Sequence, residues 1–270
     1  MKNKRWFALA LALCMLLPLA ACSLKPAAPW PTLREGDGCL RQGRSLVRGN
    51  GDVSHETDIN EHMRGQEWTL RIELPRVTSS VGKIVIDESL DFAGKLETDS
   101  NIRGAGLTRS YNLDRREIVL RGRENQWYAP TVLNFTVGVP VNKIIVNGAV
   151  EIDYSCPSVT EMSININGAS TGRFAFGALE SLRMEVNGAG DITLAGTAKL
   201  ADMTLNGAGS VKAFDLTAVG AGVTINGAGG CEITATGTLD AEINGVGKVV
   251  YDGEPAVSRR IHGLGEVRAR

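Results

Sequence analysis

The C-terminal half of the chain alternates apolar and polar residues around a recurring glycine-rich corner. The tetrapeptide Asn-Gly-Ala-Gly, or a close variant, recurs seven times at spacings of 18 to 20 residues. The first residues of these corners are Asn147, Asn167, Asn187, Asn206, Asn226, Asn244 and, in a degenerate copy, His262. A near-constant period of this kind indicates an array of structural repeats.

Aligning the repeats on their corners gives columns of like residues. The positions one before, three before, five after and seven after the corner are apolar in most repeats, as in Val146, Ile144, Ile152 and Tyr154 of the first. The positions between them are mixed or polar. Alternation with a period of two predicts two short strands in each repeat, each with one buried face.

One repeat cannot bury such a face alone, whereas stacked repeats form continuous apolar columns. We therefore predict an all-β fold, a parallel β-helix or β-solenoid, over residues 141–270. Asparagine and glycine tolerate the positive φ that sharp corners require. The competing prediction is a meander of antiparallel hairpins, because Asn-Gly is also a strong hairpin signal.

Residues 39–140 repeat less regularly but still read as strands. The segments are 68–74, which alternates strictly, and 83–86, 117–120 and 132–137. We expect irregular first coils and a cap that covers an open end of the stack, because uncovered strand edges promote aggregation. Arg259 occupies an inward position in the last repeat, which indicates that the final coil is frayed or capped.

The first 21 residues have the form of an export signal: three basic residues, then an uncharged apolar run from Trp6 to Leu19 that is too short for a membrane-spanning helix. Leu19-Ala-Ala-Cys22 resembles the lipobox of bacterial lipoproteins. That resemblance implies cleavage before Cys22, lipid on its sulfur and, with Ser23 following, the outer membrane. An ordinary signal peptide is the alternative. The proline-containing segment 22–38 reads as a tether.

Composition narrows the classes of partner. The whole chain has a net charge of −1, and without the three basic residues of the signal it falls to about −4. No basic stripe is present, so nucleic acid is not an expected partner. Glycine is frequent and aromatic residues are few, which suits short strands with tight turns.

No residues are grouped in the manner of a metal or cofactor site, and we expect no cofactor. Three cysteines remain after the signal and the lipidated residue, and Cys39 and Cys156 could form a disulfide, although no pattern establishes the pair. The Asn/His row is interpreted as turn geometry, with a ladder of side-chain amides, rather than as a row of ligands. A calcium ladder would need repeating acidic residues, which are missing at the fourth position after the corner.

Two functional hypotheses belong to different classes. The favoured one is a non-enzymatic envelope protein that binds a surface glycan or another envelope protein. The alternative is a polysaccharide lyase or hydrolase, which needs two carboxylates converging on one face. Asp153 shares a face with Glu151, but we expect it to form a solvated pair with Arg173 on the next coil. Trp127 and Tyr128 are the aromatic candidates for a contact surface.

Several segments resemble the head GIN-domain family of autotransporter adhesins. They are Gly49-Asn-Gly-Asp-Val53, the run 135–149, the chain of Asn-Gly-Ala-Gly corners, the run 249–255 and Gly263-Leu-Gly265. The resemblance covers residues 45–270, although family members usually carry Ser-Gly-Ser-Gly corners. It implies an adhesion or other envelope role and supplies no catalytic residues.

Overall fold

The computed structural model describes residues 39–42, 45–48, 54–58, 63, 65–74, 82–98, 107–122 and 133–270. The predicted signal, Cys22, the tether and the Trp127-Tyr128 pair lie outside these ranges, so those predictions are not tested. Within the described ranges the chain forms strands and no helix, so it contains no helical segment able to cross a membrane. The chain has an all-β fold.

The strands fall into a less regular N-terminal group and a regular C-terminal group. The first group consists of β1 (Cys39–Gln42), β2 (Ser45–Arg48), β3 (Ser54–Asp58), β4 (Trp68–Leu74), β5 (Gly82–Asp87), β6 (Phe92–Thr98), β7 (Leu107–Asn112), β8 (Glu117–Gly122) and β9 (Leu133–Val137). The second consists of β10 (Val141–Gly148), β11 (Val150–Cys156), β12 (Glu161–Ala169), β13 (Thr171–Ile225), β14 (Ala228–Asp252) and β15 (Ala256–Ala269).

Parallel pairing joins the repeats in the predicted register. Ile144 pairs with Ile164, Ile164 with Met184, and Ile225 with Ile243, so each inward column is a row of direct neighbours. A meander of hairpins would instead make antiparallel pairs, and β10 to β15 pair with one another only in parallel. The hairpin alternative is therefore wrong for residues 141–269.

The corners do not interrupt the strand ladder, which differs from the prediction of two short strands in each repeat. Pairing continues through the corner itself, where Gly168 lies opposite Gly188 and Ala169 opposite Ala189. As a result β13 runs for 55 residues. It turns back on itself, because two of its own corner residues, Asn187 and Asn206, are hydrogen-bonded to each other. Identical residues at each corner allow the ladder to pass through the bend.

The N-terminal strands extend the same sheet and end in antiparallel pairs. β4 pairs in parallel with β10 and β8, and β5 pairs in parallel with β11 and β9. Beyond them, β7 runs antiparallel to β8, and β6 antiparallel to β9 and β3. Together with the regular strands they form one curled, open sheet of thirteen strands. The four segments predicted as strands in this region are confirmed.

One continuous hydrophobic core fills the inside of the curl. Trp68 and Phe135 are fully buried, and Tyr154, Phe174 and Phe176 pack together with ring centroids 5.5 to 6.2 Å apart. Of the three aromatic residues that the inward columns predict for the core, Tyr154 and Phe174 belong to it and Tyr251 packs against it, partly buried.

The last repeat departs from this pattern. Ile261 stands in an inward column yet is 38% exposed, and Leu264 at its corner is 80% exposed. Arg259 is also exposed. β15 pairs with β14 along one side, so its side chains lack the second neighbour that covers the equivalent positions in earlier repeats. Val267 is the residue of β15 that is buried.

Candidate functional site

The corner asparagines form a ladder of side-chain hydrogen bonds. The Nδ2 of each of the later five donates to the Oδ1 of the asparagine one repeat earlier, at 2.7 to 2.9 Å. The row runs from Asn147 through Asn167, Asn187, Asn206 and Asn226 to Asn244. His262 continues the backbone register opposite Asn244.

Several of these amides use their second N–H group as well. Asn167 donates to Asn165 at 2.7 Å, Asn187 to Glu185 at 3.0 Å and Asn244 to Glu242 at 2.9 Å. The hydrogen bond from Asn244, together with those from Arg260, holds the pKa of the Glu242 carboxyl below its usual value. With both N–H groups committed within the protein, these amides have little left to offer a ligand. The geometry supports the structural interpretation of the row.

The glycine after each corner asparagine is held where no other residue fits. Gly207, in the middle of the array, has φ +154°, a region that residues with a Cβ rarely adopt. Its position also brings the backbone close to the repeat before, so that a Cβ there would meet the carbonyl oxygen of Gly188 at less than 3.0 Å. The corner sequence is thus fixed by close backbone stacking.

A recess of about 680 Å³ opens where β5, β9 and β11 end. Three loops form it, at residues 88–91, 138–140 and 157–158, and its wall is partly apolar, with Leu90 and Val139 among its residues. This size lies in the usual range of small-molecule sites. Because the loops lie far apart in sequence and outside the repeat pattern, the pattern of the chain gave no signal for this recess.

Carboxylates and serines converge on the recess. Asp87 accepts hydrogen bonds from the backbone N–H and the hydroxyl of Ser89, at 3.0 and 2.7 Å. Glu88 accepts one from the N–H of Ser158 at 2.8 Å and another from its hydroxyl. Asp91 is exposed at the rim. Since both oxygens of Glu88 are engaged with Ser158, Asp91 and the second oxygen of Asp87 are the acceptors that this wall offers to a ligand with hydroxyl or amine donors.

The carboxylate singled out as a catalytic candidate is an ion-pair partner. Asp153 lies 3.0 Å from the Nζ of Lys83 and 2.9 Å from the guanidinium of Arg173 on the next repeat. Partial burial opposes ionisation, but the two cations outweigh it and lower the pKa of Asp153 below its usual value. The predicted pair with Arg173 is confirmed, and both carboxylate oxygens are engaged.

Two buried cysteines and a buried tyrosine serve the packing of the core. Burial raises the pKa of Cys156 to about 11 and that of Cys231 to about 12, which leaves both as unreactive thiols. The Tyr154 hydroxyl donates to the carbonyl of Val141 at 2.7 Å. Cys156 is buried and the side chain of Cys39 lies outside the described residues, so their pairing stays a prediction.

The part of the chain that the structure describes contains no group of three residues arranged to hold a metal ion. Parallel repeats with stacked glycine corners and a ladder of asparagine side chains define a repeat-built all-β protein. Residues 110–255 match the family described as "Putative auto-transporter adhesin, head GIN domain". Since the match spans more than half of the chain, the protein belongs to this family, as its motifs predicted.

Solved structures share the fold at low sequence identity. A putative adhesin from Bacteroides fragilis NCTC 9343 is 19% identical, with a TM-score of 0.61 over 81% of this chain and 96% of that one. A putative lipid binding protein from Parabacteroides distasonis ATCC 8503 is 21% identical, with a TM-score of 0.53 over 82% of this chain and 98% of that one. No curated protein gives a significant match.

Proposed function

We propose that this protein is a non-enzymatic binding module of the bacterial cell envelope, anchored by lipid on Cys22. In this proposal residues 1–21 are removed on export, 22–38 act as a tether, and the remainder is a β-solenoid whose outer surface binds a glycan or another envelope protein. The family description and that of the Bacteroides fragilis neighbour support an adhesive role.

The recess between the three loops is the observation that carries the binding role. It has the size of a ligand site and combines an apolar wall with serine hydroxyls and carboxylates. Asp153, the candidate catalytic carboxylate of the enzyme alternative, forms ion pairs with two cations. A wall of this kind favours recognition through hydrogen bonds and apolar contact over bond cleavage.

The parallel register supports the proposed solenoid. Partners in neighbouring repeats stand 18 to 20 residues apart, as Lys143 and Ser163 or Thr238 and Ala256 do, which is the length of one turn of the array. Each turn therefore brings equivalent outward residues side by side, and the outer faces become continuous surfaces. Long flat faces of this type are a common binding platform in repeat proteins.

The anchor is tested by fractionation of cells that express the full chain. Cys22→Ala should leave the protein unprocessed or release it from the membrane, and globomycin should block processing of the wild type. Cys14→Ala is the matched control, because this cysteine lies in the predicted signal and should not affect anchoring. Ser23→Asp should move the protein from the outer to the inner membrane. Unchanged fractionation of the Cys22 variant would refute the anchor.

Binding is tested with a glycan array and a pull-down of envelope proteins on the mature domain. Asp91→Arg places a bulky cation at the rim of the recess and should weaken binding at least about tenfold. Asp114→Arg makes the same change on an exposed turn outside the recess and should leave binding unchanged. Equal effects of the two variants would exclude the recess, and depolymerisation of any glycan by the wild type would contradict the non-enzymatic role.

A further inference from the structure

A second hollow lies on the outward side of the strands that follow the last four corners. It measures about 320 Å³ and opens around Gly230, at the position that Ser210 occupies one repeat earlier and Lys248 one repeat later. The missing side chain leaves a depression whose floor includes Cys231 and Val250, both buried. The hollow is separate from the recess formed by the three loops, since the two share no residue.

The fold does not require a glycine at this place. Gly230 lacks the positive φ of the corner glycines. A Cβ there would approach only the carbonyl oxygen of Lys248, at 3.7 Å, which is an ordinary van der Waals contact. By contrast, a Cβ on Gly207 would overlap with the backbone of the repeat before it. The geometry of the corner therefore does not require a glycine at position 230, and the space next to Gly230 is open.

Positive charge surrounds the hollow. Four cations and one carboxylate line it: Lys212, Lys248, Arg268, Arg270 and Glu232. Lys212 is exposed and makes no ion pair with any described residue. The other three cations make long contacts with carboxylates outside the lining, at 3.9 and 3.7 Å to Glu266 and 3.5 Å to Asp252. Exposed pairs at such distances are weak and can be replaced by contacts to an anionic ligand.

Two further features are suited to a sugar. The guanidinium carbon of Arg270 lies 4.6 Å from the centroid of the Phe214 ring, and this pair contributes a flat, partly apolar wall. Ser210, whose hydroxyl donates to Asp191 and can still accept a hydrogen bond, and Glu232, a carboxylate, belong to the same lining. A carboxylate accepts hydrogen bonds from sugar hydroxyls but repels a ligand that presents only negative charge.

We propose that this hollow binds one acidic sugar unit of a surface polysaccharide, such as a uronic acid. The ligand's carboxylate lies between Lys212 and Lys248, and its hydroxyls reach Glu232 and Ser210. This inference rests on the proposed role of the protein as a binding module, because it names the ligand class and a second place of contact. The hollow is at the small end of the range for ligand sites, which matches a single sugar unit better than a longer segment.

Calorimetric titration of the mature protein with trigalacturonic acid tests the proposal. A neutral galactose trisaccharide, inorganic phosphate and phosphatidylglycerol vesicles are titrated in parallel. We expect the acidic trisaccharide to bind at least about tenfold more tightly than the neutral sugar or phosphate, and its affinity to fall as NaCl rises from about 20 to about 200 mM.

Three variants locate the site. Lys212→Gln removes the unpaired cation, and Gly230→Leu fills the hollow without a backbone clash; each should lower the affinity about tenfold or more. Lys143→Gln removes an exposed lysine from a strand outside the hollow and should leave the affinity unchanged. Circular dichroism of each variant confirms that the fold is retained before titration.

Several results would overturn the inference: equal binding of the neutral sugar, binding of phosphate or vesicles alone, or an affinity for the acidic sugar that Gly230→Leu leaves intact. Failure of this site is distinguishable from failure of the proposed function. A glycan or envelope partner that binds the wild type while trigalacturonic acid does not bind keeps the binding role and rejects this hollow. If the wild type gives no signal on the glycan array and none in the pull-down, the binding role itself is rejected.

Discussion

Replacing one corner glycine with alanine is the most direct test of the stacked corners. Gly207 lies between two equivalent glycines, with Gly188 before it and Gly227 after it. In Gly207→Ala the new methyl group would approach the carbonyl oxygen of Gly188 to less than 3.0 Å. The substitution also forces a residue with a Cβ into φ +154°. Backbone strain and overlap therefore act together at this position.

The size of the effect follows from the separate contributions. A residue held in a sparsely populated backbone region costs about 1–3 kcal/mol. Forcing an extra methyl into a packed position costs about 1–3 kcal/mol more. The lower entropy of the unfolded chain offsets about 0.4–1 kcal/mol of this cost. We expect Gly207→Ala to lower the free energy of unfolding by about 3 kcal/mol, a large part of the ~5–15 kcal/mol that stabilises a typical domain.

Urea unfolding followed by circular dichroism measures this difference. With a slope of about 2 kcal/mol per M of urea, a loss of 3 kcal/mol moves the midpoint down by about 1.5 M. Gly230→Ala is the matched control, because its methyl group has space and no positive φ opposes it. The control should leave stability unchanged or raise it slightly. A midpoint for Gly207→Ala within error of the control would refute the close stacking of the corners.

Three further experiments test the asparagine ladder, the ion pairs of Asp153 and the stacking of whole repeats. Asn187→Ala removes the amide that links the two neighbouring asparagines and should lower stability by about 1–3 kcal/mol, seen as a lower thermal midpoint. Asp153→Asn should lower the free energy of unfolding by about 0.5 kcal/mol at pH 7. Because the pKa of Asp153 is lowered in the folded state, this difference from the wild type should disappear as the pH falls through that lowered pKa. Deleting residues 187–205 removes one whole repeat and should be tolerated, whereas deleting 187–196 should prevent cooperative thermal unfolding.

The all-β class and the parallel, in-register pairing of the repeats could be predicted because their signals are local and recurrent. Each column of the alignment became a row of paired residues, as with Ile144 and Ile164, since identical repeats can satisfy one another only in register. Family membership followed from the same corners. The continuous strands could not be foreseen, because Asn-Gly is usually a chain-reversing signal and its stacked form keeps the ladder intact through Gly168 and Gly188.

The recess could not be predicted because it depends on contacts between distant, non-repeating loops. The hydrogen bond from Ser158 to Glu88 joins residues 70 positions apart, and neither residue belongs to an apolar column. The second hollow had a visible sign in the sequence, the additional glycine at Gly230, but the sequence does not distinguish a glycine that leaves room for a ligand from one that relieves strain. The structure makes that distinction, because Gly230 has no positive φ and a Cβ there would meet nothing closer than 3.7 Å.

Positions that carry the same kind of residue in every repeat and positions that vary between repeats have different roles in this array. Inward and corner residues recur because each contacts its own counterpart one repeat away, so a change at one place disturbs two interfaces. Outward residues contact solvent, where most substitutions alter stability by less than about 0.5 kcal/mol, so they can change freely. The outward position four after the corner is Glu151 in the first repeat, Gly230 in the fifth and Lys248 in the sixth. Binding specificity should therefore lie where neighbouring repeats differ most, as they do around Gly230.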